Sequence, residues 1–214
     1  LVLQPKLTLE INKAGSLEFT LPPTNPAYDY LNKLTSTIRV YQDGEILFTG
    51  RVLNDETDFY GRKKVYCEGD LAFLLDSYVR PFDFQRTGTG TEGSAVIREF
   101  MQMLVDNHNS IIGDDNPYRQ FELGEVTVTD SNDTIHYSSS EYKTTSDVIN
   151  EKLLDTHGGY LRTRPGVNRT YLDYIAQYDS AATQTIEFGS NLLDLTKAIS
   201  AEDVFTVLIP LGAD

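Results

Sequence analysis

A β-hairpin is predicted by the run Thr37-Ile38-Arg39-Val40-Tyr41-Gln42-Asp43-Gly44-Glu45-Ile46-Leu47-Phe48-Thr49. The pair Asp43-Gly44 suits a tight turn in which the backbone takes positive φ. The residues on either side of this pair are therefore expected to form two antiparallel strands. Similar patterns occur before and after this hairpin, so the N-terminal part of the chain is expected to be all-β.

A second hairpin is predicted at the start of the chain. Two runs alternate apolar with polar residues, and their apolar members are Leu7, Leu9 and Ile11, then Leu17, Phe19 and Leu21. A spacing of two places each trio on one face of a strand, which gives the hairpin one buried side. Asn12-Lys13-Ala14-Gly15 turns the chain between the runs. Pro22-Pro23 ends the pairing, because proline cannot donate a ladder hydrogen bond.

A third pairing is predicted after the central hairpin. Gly50-Arg51-Val52-Leu53 leads through Asp55 to Lys63 and into Lys64-Val65-Tyr66-Cys67-Glu68-Gly69. Five or six strands at this spacing are typical of a small antiparallel barrel or sandwich. An apolar turn follows, and it is expected to plug one end of the barrel with Leu71, Leu74 and Leu75.

The middle of the chain changes to helical periodicity. One helix is predicted after a cap at Ser94, with its apolar positions at Ile97, Phe100, Met101, Leu104 and Val105. A polar loop, 106 to 120, is expected to follow. A second helix is predicted from Thr144, which has capping-box spacing to Asp147, to the helix-ending pair Gly158-Gly159. Its apolar positions are Val148, Ile149, Leu153 and Leu154.

Short strands are predicted around these helices. Phe121 to Thr129 and Thr134 to Ser138 come before the second helix. After it, Tyr160 to Arg164 and Arg169 to Ile175 pair around Pro165-Gly166. An α+β unit is therefore expected after the all-β one.

The end of the chain returns to β character, with predicted strands at Thr185 to Phe188, Leu192 to Ala198 and Val204 to Leu211. Two or three strands do not make a stable domain, so a second β-domain is expected to begin here, cut off or completed by another chain. The predicted fold is β-rich α+β. It comprises a β-barrel-like domain, an α+β domain with two helices and an incomplete second β-barrel domain, at 1–82, 83–180 and 181–214 respectively.

Charge is the sharpest bulk property. The chain has 18 basic and 32 acidic residues, a net charge of −14. Such a surface disfavours binding to nucleic acid or anionic lipid, since phosphate binding depends on Lys and Arg. No segment approaches the roughly 18 apolar residues of a membrane span. The lone Cys67 excludes an intramolecular disulfide and a Cys-based zinc site.

One string resembles a nucleotide-binding fingerprint, Gly88-Thr89-Gly90-Thr91-Glu92-Gly93. A working fingerprint needs a buried, apolar parallel strand before the loop, but Arg80 to Arg86 holds a proline and charges. Glu92 would also place a carboxylate beside the phosphates. The glycines are therefore interpreted as a connector before a helix, and no cofactor is expected.

Other candidate sites have structural explanations. His108, His136 and His157 share no metal-ligand spacing, and the first and last lie near predicted helix C-termini, where positive charge is favourable. The glycine and the glutamate of a calcium loop are missing from Asp130-Ser131-Asn132-Asp133, so a simple turn is predicted there. A solvated loop tip is predicted at Asp114-Asp115. Cys67 is predicted to be a core residue. Neither G-x-S-x-G nor H-E-x-x-H occurs. We predict no catalytic, cofactor-binding or metal-ligating residue and no enzyme activity.

The order of these elements resembles the N-terminal region of siphophage and prophage tail-tip proteins (minor structural protein, tail-associated lysin, prophage endopeptidase tail). The similar blocks are Leu9 to Pro22, Ile38 to Val52, Cys67 to Leu75, Gly158 to Arg164 and Asn191 to Gly212. They cover most of the chain but contain no invariant chemical motif.

The resemblance implies a subunit of a baseplate hub in the virion, made in the cytoplasm of the bacterial host. Such subunits form trimeric rings of β-barrel domains that extend the tail tube and let DNA pass, beside a distal tail protein and a tape measure protein. Two alternatives stay open: a module that binds cell-wall carbohydrate or a receptor, for which the 13 Tyr and 10 Phe would supply stacking surfaces, and a non-catalytic part of a peptidoglycan hydrolase.

Overall fold

The computed structural model describes residues 1–88, 95–130, 134–166, 169–178 and 187. Several predicted features lie outside these residues: the cap at Ser94, the glycine string after Gly88, the turn at Ser131 to Asp133 and the strands from Thr185 onward, of which only Glu187 is described. By its internal contacts the chain divides into two compact units, Leu1–Gln177 and Tyr178–Asp214. The first unit contains every helix and strand described below.

The N-terminal part forms a curled five-stranded half-barrel. Its strands are β1 (Leu3–Thr8), β2 (Ser16–Leu21), β3 (Thr37–Gln42), β4 (Glu45–Thr57) and β5 (Lys63–Gly69). They are all antiparallel, in the order β1-β2-β5-β4-β3. The predicted turn between β3 and β4 is confirmed, with Asp43 at φ 53° and Gly44 at φ 88°. The predicted β-rich α+β class is also confirmed.

A compact apolar cluster fills the concave face of the half-barrel. Its members are Leu17, Phe19, Leu21, Phe48, Val52, Val65 and Cys67. Gly50 and Gly69 lie opposite each other in the β4–β5 pairing. A Cβ at Gly69 would lie 1.9 Å from the carbonyl oxygen of Ala14, so the chain before β2 can approach only because this residue is glycine.

Two predictions about this half-barrel are wrong. Leu9 and Ile11 are exposed rather than buried, because β1 ends at Thr8. The chain then turns through Asn12, whose side chain donates to the carbonyl of Gly159 (3.0 Å) and accepts from the N–H of Leu161 (2.8 Å). The predicted separate strands on either side of Gly50 are one strand, β4.

The remaining elements, from residue 70 to residue 175, form helices and small sheets, which together we call the helical layer. The strands are β6 (Tyr78–Val79), β7 (Phe82–Thr87), β8 (Phe121–Val126), β9 (Thr134–Ser139), β10 (Lys143–Thr144), β11 (Tyr160–Arg164) and β12 (Thr170–Ile175). The helices are α1 (Ala95–Ile112), α2 (Thr145–Ile149) and α3 (Asp155–His157), and a π-helical turn (Asn150–Leu154) joins the last two. Two 3₁₀ turns are at Asp70–Asp76 and Pro117–Arg119.

Both predicted helices are confirmed. The five apolar positions of α1 are buried, and Val148, Ile149 and Leu153 are buried in the second helical segment. Thr144 caps that segment, since its side-chain oxygen accepts the N–H of Asp147 at 3.1 Å. However, α1 extends to Ile112 into the predicted loop. Its polar residues bind neighbouring backbone: Asn107 donates to Tyr78 (3.1 Å) and Asn109 to Phe121 (2.7 Å).

Three features of the helical layer were not predicted. Residues 82–87, for which no strand was predicted, form β7, which pairs antiparallel with β9 and places Phe84 against Phe100. β12 pairs antiparallel with β11 but parallel with β8. The turn expected to plug the barrel instead adds Phe73 and Leu74 to the helical core, while Leu75 is exposed. No helix among the described residues is long and apolar enough to cross a membrane.

Candidate assembly surface

The half-barrel is open along one side, which we call the slot. Its two walls are the strands β1 and β3, and among the described residues neither has a second strand neighbour. Its lining includes the apolar side chains of Leu7, Leu17, Phe19, Leu21, Ile38 and Val40, together with Asn25, Ala27 and Leu31 from the connection between β2 and β3. Leu7, Ile38 and Val40 are only half-buried, and the slot has a volume of about 510 Å³. Among the described residues, part of the barrel core is therefore left uncovered.

The two walls of the slot differ in their ability to pair. β1 contains Pro5 and a register shift between Leu3 and Lys6, with Gln4 at φ 48°. Proline and irregular backbone discourage addition of another strand. β3 has no proline, and its register shift lies late, between Val40 and Tyr41. The wall formed by β3 is thus the more regular edge.

The hairpin between β4 and β5 presents two aromatic side chains, and we call residues 58–62 the aromatic tip. Phe59 is 97% exposed and Tyr60 75% exposed, with ring centroids 5.5 Å apart. Asp58 Oδ1 accepts the N–H groups of Tyr60 (2.9 Å) and Arg62 (2.8 Å), and Arg62 Nε donates to Asp58 Oδ2 (2.7 Å). These hydrogen bonds, the Arg62 N–H first, hold the pKa of Asp58 below its usual value. The tip is thus a fixed turn with outward-facing rings.

An ion cluster joins the convex face of the half-barrel to the helical layer. The guanidinium of Arg51 donates to Glu68 (2.7 Å) and to both carboxylate oxygens of Asp76 (2.5 and 3.0 Å), and lies 5.1 Å from the ring centroid of Phe73. Arg119 also binds Asp76. Burial raises the pKa of Asp76, but the hydrogen bonds and charges of the two arginines outweigh it, so the net pKa is lowered.

A second ion cluster lies on the sheet formed by β11, β12 and β8. Asp173 on β12 is fully buried and accepts from Arg162 (2.9 Å), Arg164 (2.5 and 2.8 Å) and the N–H of Glu125 (2.8 Å). Burial raises its pKa, yet Arg164 and the other donors bring the net pKa below the usual value. A Cβ on Gly124 would lie 2.0 Å from Asp173 Oδ1, so this close approach requires glycine.

His108 does not have the role expected of it. It is fully buried in α1, where Nδ1 lies 2.8 Å from Ser77 Oγ and Nε2 lies 2.9 Å from the carbonyl oxygen of Arg119. Burial lowers its pKa, which favours the neutral ring, so stabilisation of a positive charge at a helix end is the wrong explanation. Ser77 also bonds Thr145 (2.6 Å), and all three side chains are inaccessible to a substrate. The Ser–His pair is therefore structural.

The other histidines are separate from it. His136 on β9 donates from Nε2 to Asp83 Oδ1 on β7 (2.5 Å), at an exposed position. His157 ends α3 and is hydrogen-bonded to the hydroxyl of Tyr137. The structure thus brings the three histidines into three different environments.

The other residues considered as candidates lie in surroundings that suit structural roles. Cys67 is fully buried, and burial raises the pKa of its thiol to about 12. Asp114 and Asp115 are exposed in the turn after α1. Within the described part of the chain no cluster of His, Cys, Asp and Glu is arranged to hold a metal. β7, which precedes the glycine string, pairs antiparallel, unlike the parallel strand of a dinucleotide fingerprint.

Asp70 is a buried carboxylate that the sequence did not single out. It is 7% exposed, and its Oδ1 has no hydrogen-bond partner. Burial raises its pKa to about 7, although the positive charge of Arg39 works in the opposite direction. Because the folded-state pKa lies above the unfolded value, ionisation of Asp70 costs stability as pH rises from about 4 to about 7.

We therefore expect Asp70→Asn to raise the free energy of unfolding at pH 8, by roughly 1–3 kcal/mol. The gain should be smaller at pH 5, where less of the ionisation cost applies. Urea unfolding of the variant and the original chain at both pH values measures this. Asp76→Asn is the matched control: it removes a carboxylate whose pKa is lowered, so it should reduce stability at pH 8. A gain from both substitutions, or from neither, would contradict this account of Asp70.

Comparisons with known proteins find a fold similarity. No protein-family profile matches the chain, and no curated protein matches it by sequence. Among solved structures, it is similar to prophage tail protein gp18 from Listeria monocytogenes EGD-e, with 16% identity and a TM-score of 0.49. The match covers 87% of this chain and 48% of that one, so the chain spans about half the length of the tail protein.

Proposed function

We propose that this chain is a structural subunit of a phage tail tip, a baseplate-hub component that assembles into a trimeric ring. The ring would extend the tail tube and let DNA pass. The observation that carries the proposal is the open half-barrel, whose apolar slot is flanked by strands with free edges in the described chain. The resemblance of the sequence to prophage tail-tip proteins supplies the biological setting.

A subunit whose barrel is incomplete is expected to assemble with other copies rather than to remain a monomer. Burial of uncovered apolar surface stabilises an assembly by about 25 cal/mol for each Å² removed from water. Free strand edges can in turn be satisfied by a strand or hairpin of another chain. A subunit with both features is suited to building a wall from repeated copies.

The charge of the chain suits a channel for DNA. At a net charge of −14 the subunit repels phosphate, so DNA can pass without being held. A basic lining would instead bind the duplex in a salt-dependent manner. In the setting implied by the resemblance, the ring would contact a distal tail protein and a tape measure protein.

Native mass spectrometry tests this proposal. We expect a species with three times the mass of one chain, persisting at moderate salt because its contacts are largely apolar. A chain that stays monomeric at high micromolar concentration would contradict the proposal. In parallel, we expect no signal on an array of cell-wall glycans and no clearing of peptidoglycan in a zymogram. A positive result in either assay would favour the carbohydrate-binding or the hydrolase alternative.

A further inference from the structure

We propose that the aromatic tip of one copy inserts into the slot of a second copy. This inference rests on the proposed function and specifies which two surfaces join the subunits. Tip and slot are different surfaces of one half-barrel, so the contact is heterologous, and repetition of such a contact around a closing rotation makes a ring.

The tip has the properties of an anchor residue pair. Phe59 stands almost entirely in water, which is unfavourable for a large apolar side chain in an isolated subunit. The turn beneath it is fixed by Asp58 and Arg62, and the hydroxyl of Tyr28 donates to the carbonyl of Gly61 at 2.7 Å. A preordered tip loses little conformational entropy on binding. Aromatic side chains held in this way are typical of the residues that dominate interface energies.

The slot has matching chemistry and size. Its interior is formed mainly by aliphatic and aromatic side chains, with Leu17, Phe19 and Leu21 at its base. Its volume of about 510 Å³ leaves room for aromatic rings. Rings of Phe and Tyr bury roughly 150–250 Å² each, which is the kind of surface such a slot covers. Phe59 of the same copy does not use it, because that ring is 97% exposed.

The charges at the border of the slot favour a second copy as the occupant. Lys6 on β1 and Arg39 on β3 are both exposed. On a second copy, the carboxylate of Glu56 is exposed beside the tip. The lysines near the tip are engaged within their own chain: Lys63 donates to the carbonyl of Tyr28 (2.6 Å), and Lys64 pairs with Glu18 (3.1 Å). Two basic side chains at the border of the slot would thus face the carboxylate beside the tip, which aids orientation of the two copies.

Sedimentation of the 214-residue chain and its variants tests the inference. Phe59→Ala removes the anchor, and Val40→Glu places a charge inside the slot. Each is expected to weaken self-association at least tenfold. Tyr142→Ala, which removes another exposed aromatic side chain, is the matched control and should associate like the original chain. Because Val40 is half-buried, Val2→Glu at a more exposed slot position provides a second slot variant, and circular dichroism checks that each variant is folded.

A mixing experiment tests the direction of the contact. F59A retains an intact slot and V40E retains an intact tip, so their mixture should form one-to-one dimers that cannot close into rings. If F59A assembles like the original chain, the inference is overturned while the proposed function stands. Loss of assembly only in the slot variants means that another element fills the slot, which also overturns it. Absence of dimers in the mixture does the same, and a monomeric original chain overturns the proposed function as well.

Discussion

Replacing Arg51 with alanine is expected to lower the free energy of unfolding by about 3–5 kcal/mol, because it breaks a buried ion cluster. Arg51 is 4% exposed and is the group that ties Glu68 of the half-barrel to Asp76 of the helical layer. Its removal leaves Glu68 without this partner and takes the cation from the face of Phe73. Urea unfolding at pH 7 measures the loss.

Two controls separate charge from shape at Arg51. Arg51→Lys keeps the charge but loses the two-pronged contact with Asp76, so it should recover only part of the stability. The difference between R51A and the original chain should also shrink as pH falls below about 4. The reason is that the folded-state pKa of Asp76 lies below its ordinary value of 3.8, so the stability it contributes is present above that value and is lost as pH falls. If R51K is as stable as the original chain, the two-pronged contact contributes nothing and its role is contradicted.

The double substitution Arg162→Ala and Arg164→Ala is expected to lower the free energy of unfolding by a similar amount, about 3–5 kcal/mol. In this case the buried group is the carboxylate that stays behind. The fully buried carboxylate of Asp173 then loses three of the four hydrogen bonds described, and the N–H of Glu125 is the donor that remains among them. An uncompensated buried charge is expensive, whereas the two guanidinium groups are themselves partly exposed. Thermal or urea unfolding measures the loss.

The matched background for this test is Asp173→Asn. With the carboxylate absent, removing both arginines should cost less than about 1 kcal/mol, as for exposed side chains. The pH dependence provides an independent check. The lowered pKa of Asp173 contributes stability above its ordinary pKa that is lost as pH falls, and the double variant should lack this contribution. If the double substitution costs as much in the Asp173→Asn background as in the original chain, the arginines stabilise the fold by other contacts.

Local signals in the sequence were sufficient to predict much of the backbone. Asp43-Gly44 determined the central hairpin because a turn of positive φ needs such residues, and the structure has positive φ at both. The hydrogen bond that the Thr144 side chain accepts from the N–H of Asp147 was likewise foreseeable from the spacing of the two residues. In these places short-range chemistry determines the structure.

Features that depend on distant parts of the chain were not foreseeable. Alternation placed Ile11 in a buried strand, but Asn12 turns the chain away to bind the backbone around Gly159, more than a hundred residues later. Arg51 was predicted only as part of a strand, and its burial results from the turn at 70–76, whose Asp76 binds it on the convex face. Nothing in the sequence around Phe59 indicates whether its ring is covered. The aromatic tip was therefore not predicted. The signal that could have indicated it is the pair of aromatic residues in the otherwise polar connection between β4 and β5.

We propose that the half-barrel, open in one copy, is closed by a neighbouring copy. Electron cryomicroscopy of the concentrated protein tests it most directly, because the occupant of the space between β1 and β3 would be visible. We predict threefold particles in which this space is filled by a hairpin from the adjacent subunit. Single subunits, or rings in which the space between β1 and β3 stays open to solvent, would contradict the claim.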